Sequence, residues 1–421
     1  MFFSESERLA ESRPELRAVI EQVDSLLAGF PRDGVLTERA ILARLPGRDP
    51  HQVRVTLEQL VRLGVLSRVG ELVCGECGTT NGLGSEACSQ CTSPLVGANE
   101  ETVYERVAEP VMLPVPRKRT PSRAPDGRPM PTVAVITALP VEYAAVQQVL
   151  GLDSEWTAPG SGAGLRYHVG AFAATNGGTH TVIATLMTIP GNNSAAAKAT
   201  QVLSHFPNVS HIVMCGIAGG IRDPAGSEEG DVRLGDVVIS DRLGVVQYDF
   251  GKILEEDFEA RPSPRPPSAQ LLEGVLYLTT ASLRGVRAWE AHLAETAGVP
   301  FALRPADSAG ARPGSVITYP NDPNRRAGMP RLFLGPIASA NAVVRNAAYR
   351  EQLRTKYNVR AVEMEGSGVA DATWIGEVGY LVIRGVADFA DADKGNVWHG
   401  PAAAGAACVL RALLESMPSP A

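Results

Sequence analysis

The sequence has few aromatic residues and no long apolar run. Aromatic side chains make up 5% of the 421 residues, and no apolar stretch approaches the roughly 18 residues that a membrane-spanning helix requires. The first residues, MFFSESERLAES, lack the basic segment and apolar core of a secretion signal. We therefore expect a cytoplasmic protein without a membrane partner.

Positive charge is not in excess either, and cysteine is sparse. Lys and Arg number 39 against 46 Asp and Glu, which gives a formal net charge of -7. That balance argues against general binding of polyanions by the whole chain. Six cysteines are present, and without a secretion signal a disulfide framework is not expected. Two of them, Cys215 and Cys408, lie in apolar stretches and are predicted to be inert core residues.

Residues 1–72 contain three helical apolar patterns followed by an extended pair over 65–73, an arrangement that resembles a winged helix. Its DNA-binding face would consist of His51, Gln52, Arg54 and Thr56. However, the segment holds ten basic and eleven acidic side chains, whereas a DNA reader usually has a basic face. A protein partner is favoured over DNA, and both alternatives stay open.

Four cysteines form two CxxC pairs within residues 73–95. Cys74 pairs with Cys77 and Cys88 with Cys91, with ten residues between the two pairs. Two such turns complete a tetrahedral metal site, and bound zinc would supply the folding energy of a segment with almost no apolar core. We predict a structural zinc ribbon without a catalytic role. A pair of redox dithiols is the alternative.

Residues 96–131 are rich in proline and arginine, which predicts an extended linker. Residues 132–418 then alternate short β-rich runs with helical segments, beginning with a strand at 133–138 and a helix at 139–150. Further strands are predicted at 182–187 and 211–216. This alternation predicts an α/β domain with a mixed, mostly parallel sheet flanked by helices.

The stretch 361–399 carries most of the candidate chemistry of this domain. Its pattern predicts a strand, a helix over 366–374, a second strand over 380–386 and a charged loop. Ligands of α/β proteins bind at the carboxyl ends of the strands. We therefore expect Glu363, Glu365 and Asp388 to gather at one rim of the sheet.

Several segments occur in the order found in the nucleoside phosphorylase superfamily. They are ITALPVEYAAV, GNNSAAA, CGIAGG, RLGDVVIS, AVEMEG and VIRGVADFAD, all within residues 132–415. The nearest branch resembles the nucleosidases, such as methylthioadenosine/S-adenosylhomocysteine nucleosidase. GVVQYDFGK and DFADADKGNVWHG are similar to phosphorylase-like effector domains of fungal and bacterial immune-type proteins. The resemblance implies a nucleoside phosphorylase-like fold and a homo-oligomer.

The resemblance also implies roles for individual residues. Cleaving an N-glycosidic bond requires an acid near the purine, a base near the attacking water and a carboxylate near the sugar. By position, Asp388 would donate a proton to purine N7, Glu142 would activate water and Arg384 would help to hold that water. The implied substrate contacts are Glu365 at the ribose hydroxyls, Met364 beneath the sugar, and Asn193, Ser194, Ala218, Gly219 and Val343. For Glu363 a structural role and a substrate contact are equally open.

Phosphate-binding positions of the resembled phosphorylases are altered. An arginine that precedes the glycine-rich turn and a serine that follows it are replaced by Met214 and Ile217. Arginine binds phosphate well, and the carboxylate of Glu142 would repel it. Hydrolysis is therefore predicted, and a phosphate-dependent phosphorylase is an alternative.

A 5′-phosphorylated substrate would need cationic or N–H donors beyond the ribose. The candidates are the helix N-terminus at Asn193 and Ser194, together with Arg242, Lys394 and His399. Lys394 is preferred because it matches the effector-type pattern. Trp398 is predicted to lie in the core, and no metal is expected at Asp388, Asp391 and Asp393, so catalysis needs no cofactor.

The leading hypothesis is an N-glycoside hydrolase that cleaves a purine nucleoside or nucleotide, with ATP or AMP favoured. It would deplete nucleotides in defence and bind a protein partner through residues 1–95. The alternative from another class is a nucleoside-sensing, DNA-binding regulator.

Two features depart from the sequence pattern of the resembled superfamily. Ala387 replaces a serine that often precedes the catalytic aspartate, and the insert 283–331 lacks clear periodicity and is either a lid or a partner-binding loop.

Overall fold

In a computed structural model, the chain folds into two compact units, Met1–Pro114 and Val115–Ala421. The residues that it describes are 3, 6, 9–10, 12–28, 35–45, 47–63, 65–73, 80–82, 87–88, 91–94, 99–106, 119–159, 165–222, 231–255, 258–260, 265–296, 299–302 and 329–419.

The first unit combines helices with an antiparallel sheet. Its helices are α1 (Arg17–Ala28), α2 (Glu38–Ala43) and α3 (Pro50–Arg62). Its strands are β1 (Val35–Thr37), β2 (Leu66–Val73), β3 (Thr80–Gly82) and β4 (Asn99–Arg106), in the order β1-β4-β2-β3. Thr37 caps α2 by accepting the N–H of Ala40, and Asp49 caps α3 by accepting the N–H of His51. Both caps use side chains that satisfy otherwise unpaired helix donors.

Three expectations for the first half of the chain are corrected. The extended pair predicted over 65–73 is one strand, β2, which pairs along its whole length with β4. Residues 99–106 were expected to belong to the linker, but this proline-free stretch provides the partner that β2 requires. Thr56, predicted to lie on a DNA-binding face, is buried and donates its hydroxyl to the carbonyl of Gln52, because it shares the core-facing side of α3 with Val53, Leu57 and Leu60.

The second unit contains an extended sheet with helices around it. The strands of this unit are β5 (Val133–Thr137), β6 (Ser154–Thr157), β7 (Arg166–Ala173), β8 (Thr179–Leu186), β9 (His211–Gly220), β10 (Val237–Gln247), β11 (Gly251–Ile253), β12 (Phe258–Ala260), β13 (Leu332–Ser339), β14 (Ala361–Glu363) and β15 (Gly379–Asp388). The helices are α4 (Pro140–Leu150), α5 (Asn192–His205), α6 (Ala269–Leu283), α7 (Ala288–Glu295), α8 (Ala347–Tyr357), α9 (Gly366–Ile375) and α10 (His399–Glu415).

Nine of these strands form one mixed sheet in the order β14-β13-β10-β15-β9-β5-β8-β7-β6. Five of its pairings are parallel and four are antiparallel, in agreement with the predicted mixed sheet. Because β14 pairs with both β13 and β9, the strands β9, β15, β10, β13 and β14 close into a ring. The predicted glycine-rich turn after residue 216 is wrong, since β9 continues through it to Gly220.

Two apolar clusters lie on opposite faces of the sheet, one beneath α5 and α9 and the other beneath α4, α6 and α10. Small residues allow the closest approaches: a Cβ at Gly385 would overlap the Ala402 carbonyl of α10. Cys215 and Cys408 belong to the second cluster and are buried, as predicted. Burial also raises the pKa of both thiols.

The insert 283–331 is more regular than expected. Helix α7 lies within it, and the Trp289 indole donates to the carbonyl of Pro330 at 3.2 Å. Residues 303–328 lie outside the described part of the chain, and the choice between lid and partner-binding loop stays a prediction. No helix among the described residues is long and apolar enough to cross a membrane.

Candidate active site

A fully buried arginine holds a cluster of glutamates at the carboxyl ends of the strands. Arg384 lies on β15, where it is level with Gly216 of β9. Its Nη2 donates to Glu363 and, at 3.0 Å, to Glu365, and its Nη1 lies 3.9 Å from Oε1 of Glu142. Glu363 and Glu365, two of the three residues expected at one rim, therefore meet here with Arg384 as their common partner, and Glu142 joins them.

Glu142 is fixed by the start of α4. It lies in the first turn of this helix, and its Oε2 accepts the N–H groups of Ala138 and Leu139, both at 2.8 Å. Oε1 accepts the N–H of Ile217 on β9 at 2.8 Å. Three backbone donors thus orient a carboxylate that is only 2% exposed.

Glu363 and Glu365 flank the junction between β14 and α9. The carboxylate of Glu363 accepts the N–H groups of Glu365 and Gly366 at 2.9 to 3.0 Å, which caps the first turn of α9. Glu365 accepts the N–H of Gly191 at 3.1 Å and the guanidinium of Arg384. Glu363 is therefore tied to the backbone, whereas Glu365 bridges two segments of the site.

The proximity of these charges in a buried place alters their titration. Burial raises the pKa of Glu142, although Arg384 and the three backbone donors oppose the rise. Burial, together with Glu363 and Glu142, raises the pKa of Glu365 to about 7 against the pull of Arg384. Burial alone would lower the pKa of Arg384, but the three carboxylates outweigh it and the net shift is upward. Such shifted carboxylates are typical of functional sites.

Asp388, the last residue of β15, is buried and makes two defined contacts. Its Oδ1 accepts the N–H of Ala390 at 2.8 Å, and its Oδ2 lies 2.9 Å from Nζ of Lys394. His399, at the start of α10, lies near this pair. Burial lowers the pKa of His399, Asp388 opposes that shift and Lys394 adds to it. The structure therefore brings the predicted residues Asp388 and Lys394 into direct contact.

Two glycines of β9 lie against these groups: Gly216 beside Glu142 and Arg384, and Gly219 beside Asp388. A Cβ at Gly216 would lie 2.5 Å from Nη1 of Arg384 and would also overlap Glu142. A Cβ at Gly219 would lie 3.0 Å from Oδ1 of Asp388. Only glycine at residue 216 allows Glu142 and Arg384 to approach each other.

Sequence reasoning missed a polar chain beside Glu365. Asn192 accepts hydrogen bonds from the Ser339 hydroxyl and from the Gly368 N–H, both at 3.0 Å, and donates its own N–H to Asn341. Asp249 in turn accepts the N–H of Asn341 at 2.9 Å. This chain fixes the loop whose Gly191 N–H holds Glu365. The turn residues between β8 and α5 were the available signal, but the prediction chose Asn193 and Ser194 instead of Asn192.

The remaining predicted residues lie at varied places. Ala218 is buried on β9, Met364 is half-buried between the two glutamates, and Trp398 is buried in the core. Exposed positions are occupied by Asn193, Val343 and Arg242, and Ser194 is half-buried. Met214 lies in the core and Ile217 offers only its backbone N–H to Glu142. The predicted roles of these residues in substrate binding stay predictions.

The predicted zinc ligands are described only in part. Cys74 and Cys77 lie outside the described residues. Cys88 is buried and Cys91 half-buried, on a turn in which the Thr92 N–H donates to the Cys88 carbonyl at 2.9 Å. A turn carrying two thiols suits one half of a zinc site, so the residues present fit the metal, and zinc stays a prediction. Among the described residues there is no group of three or more side chains that could hold a metal ion. The loop with Asp391 and Asp393 therefore contains no such group either.

A mixed α/β sheet that gathers buried carboxylates and an arginine at the carboxyl ends of its strands is typical of an α/β enzyme. The sequence model of the Phosphorylase superfamily matches residues 132–414. The chain belongs to this superfamily.

Three curated relatives are about 30% identical to the chain over the aligned residues. The ATP nucleosidase Cap17 of Escherichia coli is 30% identical over 294 residues, which cover 68% of this chain and 51% of that protein. A nucleotide-binding leucine-rich repeat (NLR)-like protein of Hyaloscypha variabilis is 29% identical over 321 residues, which cover 70% and 30%. The 5′-methylthioadenosine/S-adenosylhomocysteine nucleosidase of Mycobacterium bovis is 29% identical over 289 residues, which cover 67% and 96%.

The chain thus spans about half of the Cap17 relative and less than a third of the NLR-like relative. Among solved structures, the Helicobacter pylori 5′-methylthioadenosine/S-adenosylhomocysteine nucleosidase aligns with 17% identity and a TM-score of 0.46, over 68% of this chain and 97% of that one.

Proposed function

We propose that the second unit is a purine nucleosidase that hydrolyses the N-glycosyl bond of an adenine nucleotide such as ATP or AMP. The observation that carries this proposal is the cluster of buried glutamates around Arg384 on β15, together with buried Asp388 at the end of the same strand. Two of the relatives carry nucleosidase names, which supports the reaction, and the Cap17 relative supports ATP as substrate.

The reaction follows from these groups. Glu142 accepts a proton from water, and its raised pKa makes it a stronger base than an exposed carboxylate. Arg384 Nη1 and Nε are buried and form no hydrogen bond with the described residues, so Nη1 has a donor to offer to that water. Glu365 accepts the ribose hydroxyls. Asp388 donates a proton to the purine, which leaves as neutral base while water oxygen bonds to C1′.

Hydrolysis is favoured over phosphorolysis. The carboxylates of Glu142 and Glu363 lie beside Arg384, and their negative charge would repel free phosphate. We further propose that the protein depletes nucleotides in defence. The resemblance of GVVQYDFGK and DFADADKGNVWHG to effector domains supports this role.

The test is to incubate the protein with ATP, AMP, adenosine or methylthioadenosine, with and without phosphate, and to separate the products by chromatography. Free adenine without phosphate is expected, and Asp388→Asn should abolish it with an unchanged melting temperature. The half-buried Asp371 on α9, which pairs with Arg265 at 3.0 Å, provides the matched control, since Asp371→Asn should retain full activity. Adenine release only in the presence of phosphate, or full turnover by Asp388→Asn, would contradict the proposal.

A further inference from the structure

The contact between Asp388 and Lys394 is at odds with the acid role proposed for Asp388. Oδ1 is already occupied by the Ala390 N–H at 2.8 Å, so Oδ2 is the atom left to carry a proton to the purine. That same atom lies 2.9 Å from the Lys394 ammonium. While the ammonium occupies Oδ2, that oxygen is not available to the purine.

Lys394 is the mobile member of this pair. Its side chain is 29% exposed whereas that of Asp388 is 4% exposed, and lysine bears its charge on a flexible four-carbon stem. The loop backbone around the pair is held by other residues: Arg350 donates to the carbonyl of Phe389 at 2.6 Å, and Arg345 to that of Ala392 at 3.3 Å. Release of Oδ2 therefore needs only a movement of the Lys394 side chain.

We propose that Lys394 makes catalysis depend on the 5′-phosphate of the substrate. In the free site the Lys394 ammonium occupies Oδ2 of Asp388. In a β-nucleotide the base and the 5′-phosphate lie on the same face of the ribose, so a phosphate bound beside Asp388 is within reach of the lysine side chain. The phosphate takes the ammonium as its partner, and an uncharged nucleoside offers nothing to draw it away.

The proton balance is complete without any other reactant. Once Lys394 has moved, a buried carboxylate without a counter-charge is unfavourable, so Asp388 takes a proton from solvent through the half-exposed side of the loop. That proton passes to the purine as the glycosidic bond breaks. Water adds its oxygen to C1′ and gives its proton to Glu142, which returns it to solvent. The net reaction consumes one water and no proton.

This inference rests on the proposed function and adds a specificity-determining residue to it. Because the phosphate acts through release of Asp388, its effect should appear in kcat and not only in KM. A lysine that merely binds phosphate would change KM for nucleotides alone. A kinetic comparison of nucleotide with nucleoside therefore distinguishes release of Asp388 from simple phosphate binding by Lys394.

The experiment compares ATP, AMP and adenosine in the wild-type protein, Lys394→Met and Lys394→Arg, with thermal melts of each protein to verify folding. Lys394→Met keeps the length of the side chain and removes its charge. Exposed Lys356 on α8 gives the matched control, Lys356→Met. We expect Lys394→Met to raise kcat for adenosine toward the value for ATP and to leave kcat for ATP near that of the wild type, so that the ratio of the two falls by about 10²-fold. Lys394→Arg should retain most of the ratio, and Lys356→Met all of it.

Each other outcome counts against the inference. A rise in KM for ATP alone, with both kcat values unchanged, would mean that Lys394 only binds phosphate. Equal losses with ATP and adenosine would mean that it only supports the fold of the loop. Base release with an unchanged ratio would overturn this inference and leave the nucleosidase intact, whereas absence of base release from every substrate by the wild-type protein would overturn both.

Discussion

Glu142 shows how backbone donors can hold a single side chain in one orientation. Both of its oxygens accept backbone N–H groups, at 2.8 Å in each case. An acceptor-only carboxylate matches these donors, whereas an amide would direct its NH₂ group at one of them. This fixed orientation suits the role of a base for water that is proposed for Glu142.

Glu142→Gln is expected to lower the rate of base release by about 10²- to 10⁴-fold, because it removes the general base. It should also lower the melting temperature, since one backbone donor loses its acceptor. Rates come from chromatography of released adenine and stability from calorimetry. The exposed Glu273 on α6 supplies the control, Glu273→Gln, which should match the wild type in both. Retention of wild-type turnover by Glu142→Gln would show that water is activated elsewhere.

Glu365 is expected to make the stability of the protein depend on pH. Its pKa is raised from 4.5 to about 7, mainly by burial. Well below pH 4.5, the folded and unfolded chains are both protonated here. As the pH rises from 4.5 to 7, the unfolded chain loses this proton before the folded chain does, so the free energy of unfolding decreases.

Glu365→Gln removes that titration. Its melting temperature relative to the wild type should therefore increase between pH 5 and pH 8. Thermal unfolding of both proteins at intervals of one pH unit measures the difference. Parallel curves for the two proteins over this range would refute the assignment of the titration to Glu365.

At the scale of elements, the site depends on how closely α5 approaches α9. A Cβ at Gly368 of α9 would overlap the Asn192 carbonyl at the start of α5 and would lie 3.0 Å from the N of Ala196. The neighbouring atoms are backbone, so neither helix can yield by a side-chain rotation. Close helix packing thereby fixes the loop whose Gly191 N–H holds Glu365.

Gly368→Ala should therefore separate the two helices, at a cost of about 1 to 3 kcal/mol in unfolding free energy. Since Gly191 would move with Asn192, base release should fall by about 10²-fold. Gly405→Ala is the matched control. Gly405 lies in α10, where a Cβ would meet its nearest atoms at 3.5 and 3.6 Å, and alanine is favoured there by about 1 kcal/mol. Equal behaviour of the two variants in denaturation and turnover would refute the packing argument.

Elements of the second unit were predictable because their signals are local. The strand and helix around Glu142, and the strand, helix and strand around Arg384, follow apolar runs and capping residues, and observed bounds differ by only a few residues. The partner of β2 was not predictable, because β4 lies 26 residues further along the chain and pairs only through tertiary contact. The contact of Lys394 with Asp388 was also missed, because it depends on the conformation of the loop that follows β15.

At the scale of the whole molecule, the chain divides its tasks between two units. Every residue of the candidate active site lies within Val115–Ala421, whereas the four predicted zinc ligands lie within Met1–Pro114. The two units are expected to unfold in separate transitions, for which a single unfolding free energy is not defined. Loss of metal should then change the unfolding transition of the first unit and leave that of the second unit unchanged.

Cys91→Ser tests this separation. Four cysteines form one tetrahedral zinc site, so the wild-type protein should contain one zinc per chain and the variant much less, as measured by plasma mass spectrometry. Because bound zinc contributes folding free energy, calorimetry should show a lower melting temperature for the first unit and an unchanged one for the second. Adenine release should stay at the wild-type rate, since no group that touches the substrate has changed.

If zinc were absent from the wild-type protein, the four cysteines would be dithiols without metal. If turnover fell in proportion to zinc content, the units would not act separately, and the first unit would contribute to catalysis in the second.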